Sequence, residues 1–387
     1  MEVPVGPGVQ PPDGLEPPEG VVLPDYSGAC LSSLIPGLLA GPGERPEWLP
    51  SVLAKARQIV LLVLDGLGWA QLQERVSLAP TLGAMVGRPI CSVAPTTTAT
   101  ALCSITLGLP PARHGMIGYK FLVKGPSGPE VLNVLKWKTA SGDARGFFPA
   151  RSAQPQAAFG GRRVPVVSRS EFAGSGFSEA HQRGGREVLW SVPSSIAPLV
   201  RGLLMEGESL VYAYYDGVDK VAHAAGLGEL YEAELGFVDS LVDQLISVLP
   251  PGACLAVTAD HGQVEVGKAA VALQPEVAER AAFVSGESRF RWLHAAPGGA
   301  AALFKVAQQC YGGEAWVVTR DQAVAAGVFG GPMSEEHLLR LGDVALVPLG
   351  ARAYMDPKDT GEAKLLGRHG GLSADEVLVP LLVAGPG

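Results

Sequence analysis

Three apolar segments of this chain each end in aspartate, and this pattern constrains the fold more than any other feature. They read QIVLLVLDG at 58–66, SLVYAYYDGVD at 209–219 and ACLAVTADHG at 253–262. A fourth apolar segment, GDVALVPLG, follows at 342–350. Continuously apolar runs that alternate with helical stretches are typical of strands covered on both faces. We therefore predict an α/β fold with a mostly parallel central sheet, helices on both faces, and all four segments as strands.

Aspartates at the ends of these strands mark the expected site. Asp65 follows the first strand, Asp216 and Asp219 follow the second, and Asp260 follows the third. Ligands of open parallel sheets bind outside the carboxyl ends of the strands. Because Asp216 is followed by glycine, we interpret it as a turn residue, and the other three as candidate site residues.

Composition excludes several classes of protein. The chain has 387 residues, 47% of them hydrophobic and 18% charged, with a net charge of -8, so nucleic acid is not an expected partner. No apolar run reaches the roughly 18 residues of a membrane span. The five cysteines form no CxxC pair, and the proline-rich N-terminus does not resemble a signal peptide. We therefore expect a cytoplasmic protein without a membrane or nucleic-acid partner.

Composition also changes along the chain and suggests a domain organisation. Residues 1–24 are predicted to form an extended N-terminal arm, and 25–274 together with 339–387 the catalytic core. Within the core, residues 118–200 are rich in glycine, arginine, serine and proline, which is typical of a cap or of long loops. Residues 275–338 contain a strand–helix–strand pattern, which predicts a small inserted α/β subdomain.

Histidines accompany the aspartates. His223 follows Asp219 by four residues, which places both on one face of a helix, and His369 lies in the glycine-flanked sequence GRHGG. The candidate metal ligands are Asp65, Asp219, His223, Asp260, His261 and His369. Three carboxylates and three imidazoles suffice for two divalent ions, and imidazole favours zinc or manganese. The remaining histidines are interpreted as structural or surface residues: His114, His181, His294 and His337.

Two ions about 4 Å apart would clamp the attacking and leaving oxygens of a phosphoryl transfer. The segment VAPTTTATALCSITLG, residues 93–108, places Thr96, Thr97 and Thr98 at the start of a predicted helix. Helix capping accounts for one of these hydroxyls. Another could act as a nucleophile once a metal ion lowers its pKa, and a helix N-terminus suits an incoming phosphate.

Together these segments resemble the alkaline phosphatase superfamily, and specifically the type I phosphodiesterase/nucleotide pyrophosphatase family. The resemblance rests on VLDGLGW, PTTTATALCSITLGLPPARHG, YYDGVDKVAH, TADHG and GRHGG, which occur in the family's order. It implies that Thr98 is the nucleophile, with Thr97 and Thr96 as alternatives. It further implies one zinc ion at Asp65, Thr98, Asp260 and His261, and a second at Asp219, His223 and His369.

The family resemblance implies hydrolysis of phosphodiester or pyrophosphate bonds in a small phosphate ester, such as a nucleotide, through a phospho-threonine. Phosphomonoester or phosphonate hydrolysis is the alternative within the superfamily, and a non-catalytic, metal-stabilised binding protein is the alternative outside it. Many relatives carry Phe-Pro-Asn-His after the nucleophile, where this chain has residues 99–102 with the sequence ATAL. Because that asparagine is missing, Asn133 becomes the candidate phosphate contact.

Overall fold

The computed structural model describes residues 16–41, 43–359 and 361–385. Its centre is a seven-stranded sheet in which five neighbouring strands are parallel, while Leu378–Ala384 runs antiparallel to both of its neighbours. In sheet order the strands are Val86–Cys91, Leu378–Ala384, Ala253–Thr258, Gln58–Leu64, Leu210–Tyr215, Pro165–Arg169 and Arg186–Trp190. The predicted α/β class with a mostly parallel central sheet is confirmed.

Fifteen α-helices accompany the sheets within the described residues. The longest, Glu229–Ser247, buries an apolar stripe that includes Leu235, Val238 and Leu245, as expected for a helix packed on one side. The others are Leu31–Leu39, Trp69–Glu74, Pro80–Ala84, Thr98–Leu107, Pro111–His114, Ala150–Ala153, Gly176–Gln182, Ile196–Met205, Gly217–Ala225, Pro275–Ala278, Ala300–Tyr311, Arg320–Ala325, Glu335–Leu338 and Ala374–Val377. None of the described helices is long and apolar enough to cross a lipid bilayer.

The register of the three central strands brings their ends to one level. Val63 pairs with Tyr214 on one side and with Thr258 on the other. Because the strands are parallel and in register, the residues that follow them emerge at the same edge of the sheet. Asp65 and Asp260, which lie two residues beyond Val63 and Thr258, therefore meet at this edge.

The segment 118–200 is more ordered than predicted. Two of its strands, Pro165–Arg169 and Arg186–Trp190, belong to the central sheet. Arg186–Trp190 forms the edge of that sheet and alternates between half-buried and exposed residues before the buried Trp190, so it lacks the continuous apolar signal of a central strand. The rest includes a separate four-stranded antiparallel sheet: Lys120–Gly125, Gly128–Asn133, Lys138–Thr139 and Gly142–Asp143.

The C-terminal half contains a second four-stranded sheet, of Ala281–Glu287, Phe290–Ala295, Val344–Pro348 and Ala315–Thr319, beside the helix Ala300–Tyr311. From the sequence we predicted that Val344–Pro348 is a strand of the central sheet, and this is wrong. The strand instead pairs antiparallel with both of its neighbours in this smaller sheet. All five of its residues are buried. A fully buried strand has the same apolar pattern in either sheet, so its sequence does not show which sheet it joins.

Smaller elements complete the chain. Two two-stranded ladders pair Val264–Glu265 with Gly367–Arg368, and Ala270–Ala272 with Ala353–Met355. Of the predicted N-terminal arm, residues 1–15 lie outside the described residues, and 16–24 form no helix or strand. The arm contacts the core where the Val22 N–H donates to the carbonyl of Leu372 at 2.7 Å.

Candidate active site

Thr98 is the first residue of the helix Thr98–Leu107, and Thr97 occupies the N-cap position. The Thr97 side chain makes no capping hydrogen bond, so the expected hydroxyl cap is not found at this residue. The Thr98 Oγ1 atom lies 3.2 Å from Nε2 of His261. The hydroxyl of Thr96 is engaged elsewhere, since it donates to the carbonyl of Gly371 at 2.7 Å. The Thr98 hydroxyl thus contacts a residue that follows a central strand, whereas the Thr96 hydroxyl is bound to the loop that carries His369.

Asp65, Asp260 and His261 form a first cluster behind Thr98. The Oδ1 atom of Asp260 accepts from the N–H groups of Gly66 and His261, both at 3.0 Å. Oδ2 of Asp260 and Oδ1 of Asp65 are buried and have no hydrogen-bond partner among the described residues. Each of these two oxygens lies 3.4 Å from Nε2 of His261. The cluster thus leaves two buried acceptor atoms facing one imidazole nitrogen.

Asp219, His223 and His369 form a second cluster. The helix Gly217–Ala225 carries both Asp219 and His223, as their four-residue spacing predicts. The Asp219 Oδ1 atom lies 3.4 Å from Nε2 of His223 and 3.6 Å from Nε2 of His369. The rings of His261 and His369 stack with centroids 3.5 Å apart, so the two clusters adjoin.

Backbone carbonyls fix the orientation of all three site histidines. The Nδ1 atoms lie 2.8 Å from the carbonyl oxygen of Gly367 for His223, 3.0 Å from that of Gly262 for His261, and 2.9 Å from that of Thr96 for His369. Because a carbonyl only accepts hydrogen bonds, each Nδ1 carries the proton. Each Nε2 is therefore unprotonated in the neutral ring and available as a metal ligand.

Burial sets the protonation of the site. It raises the pKa of Asp65 well above its ordinary range, and the carboxylates of Asp260 and Asp219 add to the effect. Burial also raises the pKa of Asp260 to about 6 and lowers those of His261 and His369 to about 4 and about 3. Burial pushes the pKa of Asp219 up as well, but the site histidines hold it below its ordinary value. The two buried imidazoles are thus neutral at pH 7.

The arrangement fits divalent metal ions. Ligand atoms lie within 4.8 Å of one another in two groups of three that share one aspartate: Asp219, His223 and His369, and Asp65, Asp219 and His261. Unpartnered, buried carboxylate oxygens cost free energy unless a cation or donor meets them. Carboxylate oxygens and imidazole nitrogens are the ligands that zinc and manganese prefer.

Two cavities open beside Thr98. The first, the apolar cavity, has a volume of about 270 Å³ and is lined in part by Leu102, Phe172, Phe177 and Tyr214. The second, the polar cavity, has a volume of about 420 Å³. Its polar lining includes Tyr119, Asn133, Lys136, Glu287, Glu362 and Arg368. Both cavities also reach Asp219, so a group bound at Thr98 has space on two sides.

Asn133, the predicted phosphate contact, lines the polar cavity but is already hydrogen-bonded. Its Nδ2 donates to the hydroxyl of Tyr119 at 2.6 Å, and its Oδ1 accepts from the N–H of Lys136 at 3.0 Å. Both polar ends of this side chain therefore have protein partners. Asn133 as a substrate contact stays a prediction.

The sequence did not single out several residues that support the site. The Tyr214 hydroxyl donates to Oδ2 of Asp65, and Gln263 donates to Oδ1 of Asp219 at 2.6 Å. Tyr214 pairs in register with Val63, two residues before Asp65. The sequence contains an indirect signal for Tyr214. If the two apolar strands are aligned as parallel neighbours by the aspartates that follow them, Tyr214 lies close to Asp65.

The family profile described as type I phosphodiesterase / nucleotide pyrophosphatase matches residues 59–370. The chain belongs to this family. The match confirms the resemblance seen in the sequence, and it spans every residue of both clusters. Membership of the type I phosphodiesterase / nucleotide pyrophosphatase family indicates that the chain is a hydrolase of phosphodiester or pyrophosphate bonds. No curated protein sequence matches the chain significantly.

Solved structures share the fold of this family member. Murine ectonucleotide pyrophosphatase / phosphodiesterase 5 is similar with a TM-score of 0.64 and 14% identity, over 85% of this chain and 88% of that chain. An inactive variant of that protein in complex with AMP gives the same values. Phosphonoacetate hydrolase from Sinorhizobium meliloti 1021, in complex with phosphonoacetate, has a TM-score of 0.59 and 20% identity, over 85% and 90% of the chains. These similarities confirm the alkaline phosphatase-like fold.

Proposed function

We propose that this family member is a metal-dependent hydrolase of phosphodiester or pyrophosphate bonds, with Thr98 as the nucleophile. One observation carries the proposal. Thr98 is the first residue of a helix, and its hydroxyl oxygen lies 3.2 Å from Nε2 of His261. The same nitrogen is close to two buried carboxylate oxygens, of Asp65 and Asp260, that have no hydrogen-bond partner among the described residues. A hydroxyl in such surroundings is the arrangement expected of an activated nucleophile.

The ligand sets follow from the two clusters. Asp65, Asp260 and His261 would hold one ion together with the Thr98 oxygen; Asp219, His223 and His369 would hold a second ion. When bound, two divalent ions would lower the pKa of the hydroxyl and offset the charge of the phosphate. Zinc suits this mixture of oxygen and nitrogen ligands, and manganese is the alternative.

The reaction would then proceed as two successive displacements at phosphorus. The Thr98 Oγ atom attacks phosphorus, a bond from phosphorus to Oγ forms, and the bond to the leaving oxygen breaks. The leaving group, an alcohol or a phosphate, takes up the proton that Thr98 loses, and the chain carries a phospho-threonine whose phosphorus keeps the other organic group. Water then attacks the same phosphorus, the bond to Oγ breaks, and Thr98 regains its proton. Free N–H groups in the first turn of the helix suit the phosphate oxygens.

The two cavities favour a diester over a monoester. Thr98 and Asp219 line both the apolar and the polar cavity. A phosphate that carries two organic groups could place one in each cavity, whereas a monoester would use one of them. Phosphomonoester or phosphonate hydrolysis is therefore the second candidate, and the substrate panel below separates them.

The test combines metal analysis with hydrolysis. Elemental analysis of the purified chain should show about two divalent ions per chain. The metal-replete protein should hydrolyse bis(p-nitrophenyl) phosphate faster than p-nitrophenyl phosphate or phosphonoacetate. Preference for either of the last two substrates would assign the alternative activity. Stoichiometric metal with no hydrolysis of any phosphate ester would instead support the non-catalytic binding protein.

A further inference from the structure

The polar cavity has a wall built by the inserted subdomain. Glu287 ends the strand Ala281–Glu287 and packs against the loop of His369, where any side chain at Gly370 would collide with Glu287. Glu362 lines the same cavity. These carboxyl groups are 7% and 6% exposed, and neither belongs to the two metal clusters.

Each of these carboxyl groups has one oxygen with a protein donor and one without. Oε2 of Glu287 accepts from the N–H of Tyr119 at 3.0 Å, and Oε2 of Glu362 accepts from Arg291 at 2.6 Å. Both Oε1 atoms are buried and have no hydrogen-bond partner within the described residues. A buried polar atom that no protein group meets is costly, so two such atoms in one cavity call for a hydrogen-bonding group from outside the chain.

Two nearby cations, Lys120 and Arg368, bind other groups of the chain. Lys120 pairs with Asp359, and its Nζ lies 3.9 Å from Oε1 of Glu362, beyond hydrogen-bonding distance. Arg368 donates to Ser288 at 2.9 Å and to the carbonyl of Glu362, while its Nε has no hydrogen-bond partner among the described residues. These contacts hold the carboxyl groups in place without supplying a donor to either Oε1 atom.

We propose that Glu287 and Glu362 bind a hydrogen-bond-donating group, an ammonium or a hydroxyl, on the arm of the substrate that enters the polar cavity. The inference rests on the proposed function, because it assumes that the phosphorus lies at Thr98. It names the substrate class more closely: a phosphate ester in which one organic group is an amino alcohol or a polyol. The carboxyl groups are then specificity determinants and take no part in bond cleavage.

Calorimetric titration of the metal-replete protein with short phosphonates tests this assignment without requiring turnover. Ethylphosphonate carries no donor, while 2-hydroxyethylphosphonate and 2-aminoethylphosphonate each add one. Propylphosphonate and 3-aminopropylphosphonate form a longer pair. At least one donor-bearing compound should bind about tenfold more tightly than its alkyl counterpart, which corresponds to one hydrogen bond of about 1.4 kcal/mol. Whether the amine or the hydroxyl is preferred identifies the donor.

Glu287→Gln keeps the size of the side chain and an acceptor for Tyr119. This variant should reduce the preference for an ammonium to less than about threefold. Glu279→Gln changes an exposed glutamate of the same subdomain and should keep the full preference. Equal affinities for the alkyl and donor-bearing compounds in the wild-type protein would overturn the inference, even if Glu287→Gln failed to fold.

Two further results would also overturn the inference. One is tighter binding of 2-carboxyethylphosphonate than of the amine, which would point to Lys136 instead. The other is an unchanged preference in folded Glu287→Gln. Failure of the proposed function looks different: the phosphonates would show the donor preference while no phosphate ester is hydrolysed.

Discussion

Arg289, between the strands Ala281–Glu287 and Phe290–Ala295, forms a completely buried, bidentate ion pair with Glu376 of the helix Ala374–Val377. The Nε and Nη2 atoms of Arg289 lie 2.6 and 2.7 Å from the two carboxylate oxygens. The carboxylate also accepts from the N–H of Gly371 at 2.8 Å, two residues beyond His369. The pair therefore connects the hairpin formed by Ala281–Glu287 and Phe290–Ala295 to the loop that carries His369, one of the candidate metal ligands.

Arg289→Met should destabilise the protein and weaken the second cluster. Removing one partner of a buried ion pair leaves an uncompensated charge and costs about 3–5 kcal/mol. Urea unfolding measures this loss, and elemental analysis should show fewer metal ions per folded chain. Arg352→Met is the control, because the pair of Arg352 with Glu314 is exposed and is expected to contribute less than about 1 kcal/mol. Equal stability of the two variants would contradict this role.

Thr98→Ala should keep its metal ions and lose turnover by on the order of 10³-fold or more, as removal of a nucleophile does in other hydrolases. Thr98→Ser should retain part of the activity, because the oxygen remains. Thr106→Ala is the control on the same helix, where the hydroxyl donates to the carbonyl of Leu102. Initial rates with bis(p-nitrophenyl) phosphate measure the effect. Near-normal turnover by Thr98→Ala would assign the nucleophile to another residue.

Tyr214→Phe should weaken metal binding by about 10–100-fold, the usual effect of removing a partner of a metal ligand. The Tyr214 hydroxyl orients Asp65 by donating to Oδ2. Tyr212→Phe is a matched control on the same strand, because the Tyr212 hydroxyl is buried and has no partner among the described residues. Competition with a chromogenic chelator measures the affinities. The prediction fails if both variants bind zinc equally well.

His114 should make the stability of the metal-free protein depend on pH. It is completely buried, Nε2 lies 2.8 Å from Ser104 Oγ, and Nδ1 accepts from the N–H of Met116. Burial lowers its pKa to about 3. Below its ordinary pKa of about 6.5, the unfolded chain therefore binds a proton that the folded chain does not. Stability should fall as the pH drops below about 6.5.

His114→Gln should remove this contribution, which amounts to at most about 1.4 kcal/mol per pH unit. Urea unfolding in the presence of a chelator, at about pH 7.5 and about pH 5, gives the two slopes. The variant should lose less stability on acidification than the wild-type protein. Identical slopes would show that His114 is not held neutral.

The sequence was sufficient to predict the strands that carry the site. The strand Gln58–Leu64 and its two parallel neighbours are buried almost throughout, so their residues are apolar without interruption. Parallel strands in register bring Asp65 and Asp260 to one edge. The pairing of Asp219 with His223 follows from helical geometry alone. These relationships are local or depend on one simple rule of sheet architecture, and for that reason the sequence contains them.

Other relationships depend on packing that no local pattern encodes. Which sheet takes the strand Val344–Pro348 is decided by its partners, because a five-residue buried run fits either sheet. Arg186–Trp190 lies at an edge and lacks an apolar signature. Glu287 reaches the polar cavity only because the hairpin of the subdomain docks against the loop of His369. The glutamate itself resembles an ordinary surface residue in the sequence.

The most direct test of the central claim is to detect the phosphoryl group on Thr98. Metal-replete protein is mixed with bis(p-nitrophenyl) phosphate and quenched in acid during the first turnover, and its peptides are analysed by mass spectrometry. We expect a peptide that carries a p-nitrophenyl phosphoryl group on Thr98, and no such peptide from Thr98→Ala or from chelator-treated protein. Rapid hydrolysis with the phosphoryl group on another residue, or with none on the chain, would contradict it.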